Sequence, residues 1–280
     1  MDTMTPVAER PASAAPARTA ATEPYVLRAD VGGVATLTLN RPKAYNPLST
    51  AMLAALQAHL DAIESDASVR VVVIAAAGPA FCAGHDLKEM RGHPQADFFD
   101  ALFAQCSRLM LTLARLPQPV IARVHGMATA AGCQLVAACD LAVAVDHARF
   151  ATSGIGVGLF CSTPAVALTR NVPRKVAAEM LFTGEFVDAA TARQFGLVNR
   201  VVPAEQLDAE VARLAASIIA KSPLAVATGK RLIYRQMETG VEAAYQMAAQ
   251  AMVCNMLSDD AMAGVQAFID KQPMPEWTGR

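Results

Sequence analysis

Val69-Arg-Val-Val-Val-Ile-Ala75 is β-branched and almost wholly apolar, and its reading decides the fold class. A strand with one face in water alternates apolar and polar residues. A strand covered on both faces does not, so this stretch reads as the inside of a parallel sheet flanked by helices. Upstream, Val34-Ala-Thr-Leu-Thr-Leu39 alternates small or apolar residues with Thr, a half-buried strand. Between them Ser49 is placed to cap a helix whose Met52, Leu53, Leu56, Leu60 and Ile63 share one side. Downstream come a glycine-rich loop from Gly78 to Gly84 and a helical stretch from Asp97 to Leu116, ended by Pro117 and Pro119. Val120-Ile-Ala-Arg-Val124 repeats the buried-strand pattern. Gly126 opens a loop, Thr129 to Ala138 reads as helix, and Leu141-Ala-Val-Ala-Val145 is strand again. This alternation predicts an α/β fold with right-handed crossovers and a mostly parallel, open sheet.

The texture changes after Arg174. The remainder reads as helix broken at Gly184, Gly196, Pro203 and Pro223, with one short strand at Leu197–Val202. At the other end, Met1–Pro24 is rich in Ala, Pro and Thr without an apolar period, too little to offset the entropy of ordering. The chain therefore divides into a disordered tail at 1–24, a core at 25–203 and a helical C-terminal region at 204–280. The tail lacks the apolar stretch of a secretory signal. Arg10 and Arg18 suggest a transit segment, but Asp2, Glu9 and Glu23 weigh against it, so a cytoplasmic location is expected.

Lys and Arg number 24 against 25 Asp and Glu, a net charge of -1, so no electrostatic grip on nucleic acid or on an anionic membrane is expected. No apolar run reaches the roughly 18 residues of a membrane span. Cys82, Cys106, Cys133, Cys139, Cys161 and Cys254 include no CxxC pair, and the histidines no HExxH. Reduced, partly buried thiols and no metal site are the expectation.

Gly154-Ile-Gly-Val-Gly158 approaches a dinucleotide fingerprint, but Leu159 stands where the third glycine belongs. There is no GxSxG elbow and no Walker loop. Two other segments carry more. Gly78–Met90 and Val124–Leu135 each leave a buried strand through small residues and enter a helix. Helix N-termini offer unpaired N–H groups and favour negative charge. Two of them at neighbouring strand ends suit an oxyanion hole, for a carbonyl that becomes an enolate. The physical alternative is a pair of ordinary tight turns.

Asn40-Arg-Pro-Lys-Ala44, Phe81-Cys-Ala-Gly-His-Asp-Leu-Lys-Glu-Met90, Gly126-Met-Ala-Thr-Ala-Ala-Gly-Cys-Gln-Leu135 and Thr183-Gly-Glu185 closely resemble motifs of the enoyl-CoA hydratase/isomerase family, the crotonase superfamily. Gly196-Leu-Val-Asn-Arg-Val-Val-Pro203, Lys221-Ser-Pro-Leu-Ala225 and Ser258-Asp-Asp260 resemble its later landmarks, in order, from about Tyr25 to the C-terminus. Val157–Pro164 with Val172-Pro-Arg-Lys175 resembles one branch within it. The resemblance implies a crotonase-like spiral of ββα units with two sheets, and trimers, often paired into hexamers, built on the C-terminal helices. It implies an acyl-CoA thioester as substrate, with CoA part of that substrate and no separate cofactor. It places the oxyanion donors at the backbone N–H groups of His85 and Ala131. It places CoA contacts at Lys43, Ala44, His85, Asp86, Leu87 and Lys88, and at Phe268 and Lys271, often across a subunit boundary.

The departures concern the chemistry. Hydratases of this family use two glutamates, and the matching positions here are Gln134 and Gly154. An amide does not exchange a proton near neutral pH and glycine has no side chain, so weak or altered hydration is expected. The His85 ring has a suitable ordinary pKa, but its backbone is the part the resemblance uses, and the ring reads as pointing elsewhere. Asp86 and Glu89 read as first-turn carboxylates serving the helix dipole. Cys161 and Ser162 read as pocket lining. Two further functions stay open: an acyl-CoA-binding or regulatory protein without turnover, and a partner subunit in a mixed oligomer.

Overall fold

The computed structural model describes residues 23–280, so the expected tail, apart from Glu23 and Pro24, lies outside the described residues. The chain opens with the hairpin β1 (Val26–Val31) and β2 (Val34–Leu39), antiparallel. Helix α1 (Thr50–Glu64) follows. The Ser49 side chain accepts from the Met52 N–H at 3.2 Å, and Met52, Leu53, Leu56, Leu60 and Ile63 are all fully buried, as the spacing predicts.

Three ββα turns then stack. The first is β3 (Val71–Ala76), β4 (Ala80–Cys82), α2 (Leu87–Gly92) and α3 (Ala96–Arg115). The second is β5 (Val120–Val124), β6 (Met127–Thr129) and α4 (Ala131–Ala138). The third is β7 (Leu141–Val145), β8 (Arg149–Ala151), a 3-10 turn at Ser153–Val157, and α5 (Ser162–Asn171). In each turn the long strand joins one sheet and the short strand the other. The large sheet has the order β1-β2-β3-β5-β7-β10 and is parallel from β2 onward, with β10 at Arg200–Val202. The small sheet has the order β4-β6-β8-β9, with β9 at Val187–Asp188. Every residue of β3 is buried, as its composition requires.

The single open sheet read from periodicity is therefore corrected to two. The short strands fall inside stretches read as loop or helix: β4 in the glycine-rich loop, β6 at the start of the presumed 129–138 helix. Three residues are too few to display a period.

After α6 (Arg174–Thr183) and α7 (Ala189–Gln194), α8 (Leu207–Ile219) packs on β5 and β7, burying Leu207, Val211 and Ala215. Three more helices follow: α9 (Pro223–Gln236), α10 (Val241–Met256) and α11 (Asp259–Ile269). Lys230 anchors α9 to the core. Its side chain is 6% exposed, and its Nζ lies 2.6 Å from Asp140 Oδ2 and donates to the Leu113 and Gln118 carbonyls. By contrast α10 buries no side chain, and α11 buries only Asp260.

Candidate active site

The site is framed by a loop running beside β4. Leu48 N–H donates to the Gly84 carbonyl at 2.7 Å, and Ala83 N–H to the Tyr45 carbonyl at 3.0 Å. Asn46, fully buried, fixes this loop. Its Nδ2 donates to the Ala77 and Ala80 carbonyls at 2.8 and 2.9 Å, and its Oδ1 accepts from the Arg41 N–H. Asn46 is missing from the sequence expectations. Its signal is Asn before Pro47 in a polar loop, the residue type that tolerates its φ of 52°.

Two glycines then bring β4 and α4 into backbone contact. A Cβ on Gly84 (φ 93°) would lie 2.8 Å from the Ala130 Cβ and 3.2 Å from the Ala131 nitrogen. A Cβ on Gly132 would strike the Cys82 carbonyl. Ala130 itself takes φ 49° and ψ -122°, a strained turn that starts α4 at Ala131 rather than Thr129. Ala131 is the first residue of α4 and is 1% exposed. Among the described residues neither the His85 nor the Ala131 N–H has a hydrogen-bond acceptor. The helix end adds partial positive charge at the second of them.

Gln134 lies one turn along α4, 4% exposed, and its Oε1 is buried without a partner. Thr129 Oγ1 and Ser153 Oγ lie 2.6 Å apart and tie β6 to the 3-10 turn that carries Gly154. Around Gly154 the space is taken: a Cβ there would meet the Leu159 carbonyl at 2.6 Å and Cys161 Sγ at 2.9 Å. Burial raises the Cys161 pKa, and a hydrogen bond from the Gly154 N–H opposes that. Cys133, in contact with its field, is pushed up to about 12 by burial. Both thiols are neutral at pH 7.

The carboxylates of α2 hold structure together. Asp86 Oδ1 accepts from the Lys88 and Glu89 N–H groups, capping α2. Glu89 accepts from Thr50 Oγ1 and from the Thr50 N–H at 3.0 Å, closing the start of α1. The His85 ring is turned inward, with Nδ1 3.1 Å from the Leu48 carbonyl and its edge against Phe103. Of the residues matched to CoA contacts, Lys43 and Ala44 are exposed in a 3-10 turn, and Leu87 and Lys88 are exposed on α2. Phe268, 77% exposed, and Lys271 sit at the end of α11, whose main packing partner is α10. The single chain does not bring these two to His85. Among the described residues no three His, Cys, Asp or Glu side chains are grouped to hold a metal, and no single helix is long and apolar enough to cross a membrane.

A family model described as enoyl-CoA hydratase/isomerase matches residues 30–280. The chain belongs to that family. It is 47% identical over 246 residues, 88% of this chain and 82% of the relative, to the mitochondrial enoyl-CoA hydratase domain-containing protein 3 of Rattus norvegicus. A solved enoyl-CoA hydratase of Mycobacterium smegmatis superposes with a TM-score of 0.89 at 60% identity, covering 91% of this chain and 99% of that one. The human enoyl-CoA hydratase domain-containing protein 3 superposes with a TM-score of 0.87 at 44% identity, covering 90% and 99%. The fold is therefore the crotonase-like spiral that the motifs imply, and the branch carried by Val157–Pro164 is that of domain-containing protein 3. One expectation is overturned. Relatives of that name, at 43–48% identity, are named mitochondrial, so the cytoplasmic reading does not stand. It weighed Asp2, Glu9 and Glu23 against Arg10 and Arg18, and three acids in a short tail are too weak a signal to exclude a transit segment.

Proposed function

We propose that the protein binds acyl-CoA thioesters and activates them as an enoyl-CoA hydratase-like enzyme with weak or altered hydration. The observation that carries this reading is the pair of N–H groups, of His85 and Ala131, left without acceptors where Gly84 and Gly132 press two backbones together. Two such donors aimed at one thioester oxygen favour the enolate over the ground state, and their orientation is set before substrate arrives. Lys43, Ala44, Asp86, Leu87 and Lys88 line the CoA on this reading. The exposed apolar face of α10 and α11 is the trimer or hexamer contact, which carries Phe268 and Lys271 to a neighbouring site.

The test is calorimetric. The protein should bind butyryl-CoA more tightly than free CoA, and a planar enolate mimic more tightly still. Ala131→Pro removes one donor at a first helical position, where proline suits a helix, and should abolish the preference, with folding checked by urea denaturation. Equal affinity of the wild type for butyryl-CoA and CoA sinks the oxyanion assignment.

A further inference from the structure

Gln134 is the single amide side chain on α4, and its hydrogen bonds are unmade. It is 4% exposed, its Oε1 is sealed from solvent without a donor, and its Nε2 has no acceptor among the described residues. Nε2 is not sealed off with Oε1, so the donor is the atom through which this residue meets the accessible surface. Its neighbours Cys133, Leu135 and Val136 are buried and need no amide beside them. An amide held this dry costs stability that a leucine of similar size would not. A ligand oxygen would use it.

The helix fixes where that amide lies. The Gln134 N–H donates to the Ala130 carbonyl at 3.1 Å, and that carbonyl belongs to the same peptide unit as the Ala131 N–H. Residues three apart share a helix face, and helical side chains lean toward the N-terminus, so the Gln134 amide leans back toward the Ala131 N–H. Gly132 is pressed against Cys82 and Cys133 lies in the field of Cys161, so β4 and α5 take the other faces. A thioester whose oxygen sits on the Ala131 N–H carries its C3 two bonds beyond the carbonyl carbon, within the span of one helical turn, about 5.4 Å. Other polar groups of the site are engaged or absent. The Thr129 and Ser153 hydroxyls pair with each other at 2.6 Å, Gly154 has no side chain, and the His85 ring is held by the Leu48 carbonyl behind Phe103.

We propose that Gln134 sets the acyl class of this site: its Nε2 donates to a carbonyl oxygen on C3, so the protein takes 3-oxoacyl-CoA thioesters ahead of saturated ones. The two backbone N–H groups hold the thioester oxygen, and the amide holds the second oxygen of the same 1,3-dicarbonyl unit. A C3 carbonyl only accepts, so it matches a donor, whereas an ionised carboxylate at this position would repel it. This deepens the oxyanion reading and rests on it.

The experiment is calorimetric titration of the full chain at pH 7 with pentanoyl-CoA, 3-oxopentanoyl-CoA, 4-oxopentanoyl-CoA and free CoA. Wild type should bind the 3-oxo thioester at least about tenfold more tightly than pentanoyl-CoA or the 4-oxo isomer. Gln134→Met keeps the length and loses the donor. It should bring the 3-oxo affinity down to that of pentanoyl-CoA while keeping the preference for pentanoyl-CoA over CoA. Equal binding of the three acyl thioesters by wild type, or a full 3-oxo preference in Gln134→Met, overturns the inference and leaves the oxyanion reading standing. Wild type that binds pentanoyl-CoA no better than CoA overturns the oxyanion reading, and this inference with it. Should Gln134→Met fail to fold, the isomers decide on wild type alone: a 4-oxo thioester bound as tightly as the 3-oxo refutes the assignment to C3.

Discussion

Cys161 Sγ lies 2.9 Å from the point where a Cβ on Gly154 would sit. The thiol and the glycine are thus a matched pair, and the volume a side chain at 154 would need is filled. Gly154→Ala should cost about 1–3 kcal/mol by overpacking, seen as a lower urea midpoint at unchanged slope. Cys161→Ala in the same chain should restore part of that. The Leu159 carbonyl, 2.6 Å from the same point, stops full recovery. A midpoint unmoved by Gly154→Ala would mean that the 3-10 turn yields freely.

Gly154 also marks the limit of what the sequence discloses. The long strands and α1 are legible because burial imposes a period on them, as Val71–Ala76 and Met52–Ile63 do. The second sheet is not, because its strands are two or three residues long and their pairing depends on contacts such as Gly132 against Cys82. The site divides the same way. The two loops that carry His85 and Ala131 read correctly as strand-to-helix turns rich in small residues. Asn46 and the inward turn of the His85 ring do not show in composition, since each depends on a carbonyl from a distant segment: Ala77 and Ala80 for one, Leu48 for the other.

The C-terminal strap is tied by one carboxylate. Asp260 accepts from Ser222 Oγ at 2.6 Å, the Thr278 N–H at 2.7 Å and the Gly279 N–H at 3.0 Å, while the single tryptophan, Trp277, donates Nε1–H to the Ala220 carbonyl. Burial acts to raise the Asp260 pKa, but these hydrogen bonds hold it below the ordinary value. A depressed folded-state pKa stabilises the fold above the unfolded value of about 3.9, and that stability is lost as pH falls through the folded one. Trp277 emission should therefore shift to the red only below about pH 3.9 in wild type, and already at pH 7 in Asp260→Ala. Identical emission of the two proteins at pH 7 would deny Asp260 this role.

Tyr245 on α10 is 76% exposed, Phe268 on α11 77% and Leu257 between the two helices 78%, exposed apolar side chains of the kind that mark an interaction surface. Burying them between copies would remove that exposure. Sedimentation should give a trimer or hexamer at micromolar concentration, and Tyr245→Glu should shift it toward monomer. A wild-type monomer would also remove the case for Phe268 and Lys271 reaching a neighbouring site.

Hydration separates the groups this site keeps from those it lacks. Gln134 is buried beside the proposed oxyanion donors but neither gives nor takes a proton near pH 7, and Gly154 has no side chain. Each positioned acid or base is worth about 10²–10⁴-fold. Crotonyl-CoA hydration should therefore run at least about 10³-fold slower than in a two-glutamate relative. Gln134→Glu returns one carboxyl at a place where desolvation raises its pKa. Its rate should exceed wild type by about 10²-fold and climb with pH as that carboxyl ionises. Gly154→Glu should add nothing, because Leu159 and Cys161 occupy the space. The assay is loss of the conjugated thioester absorbance. Wild-type turnover of about 1–10³ s⁻¹ would mean that other residues, His85 first among them, activate the water as well.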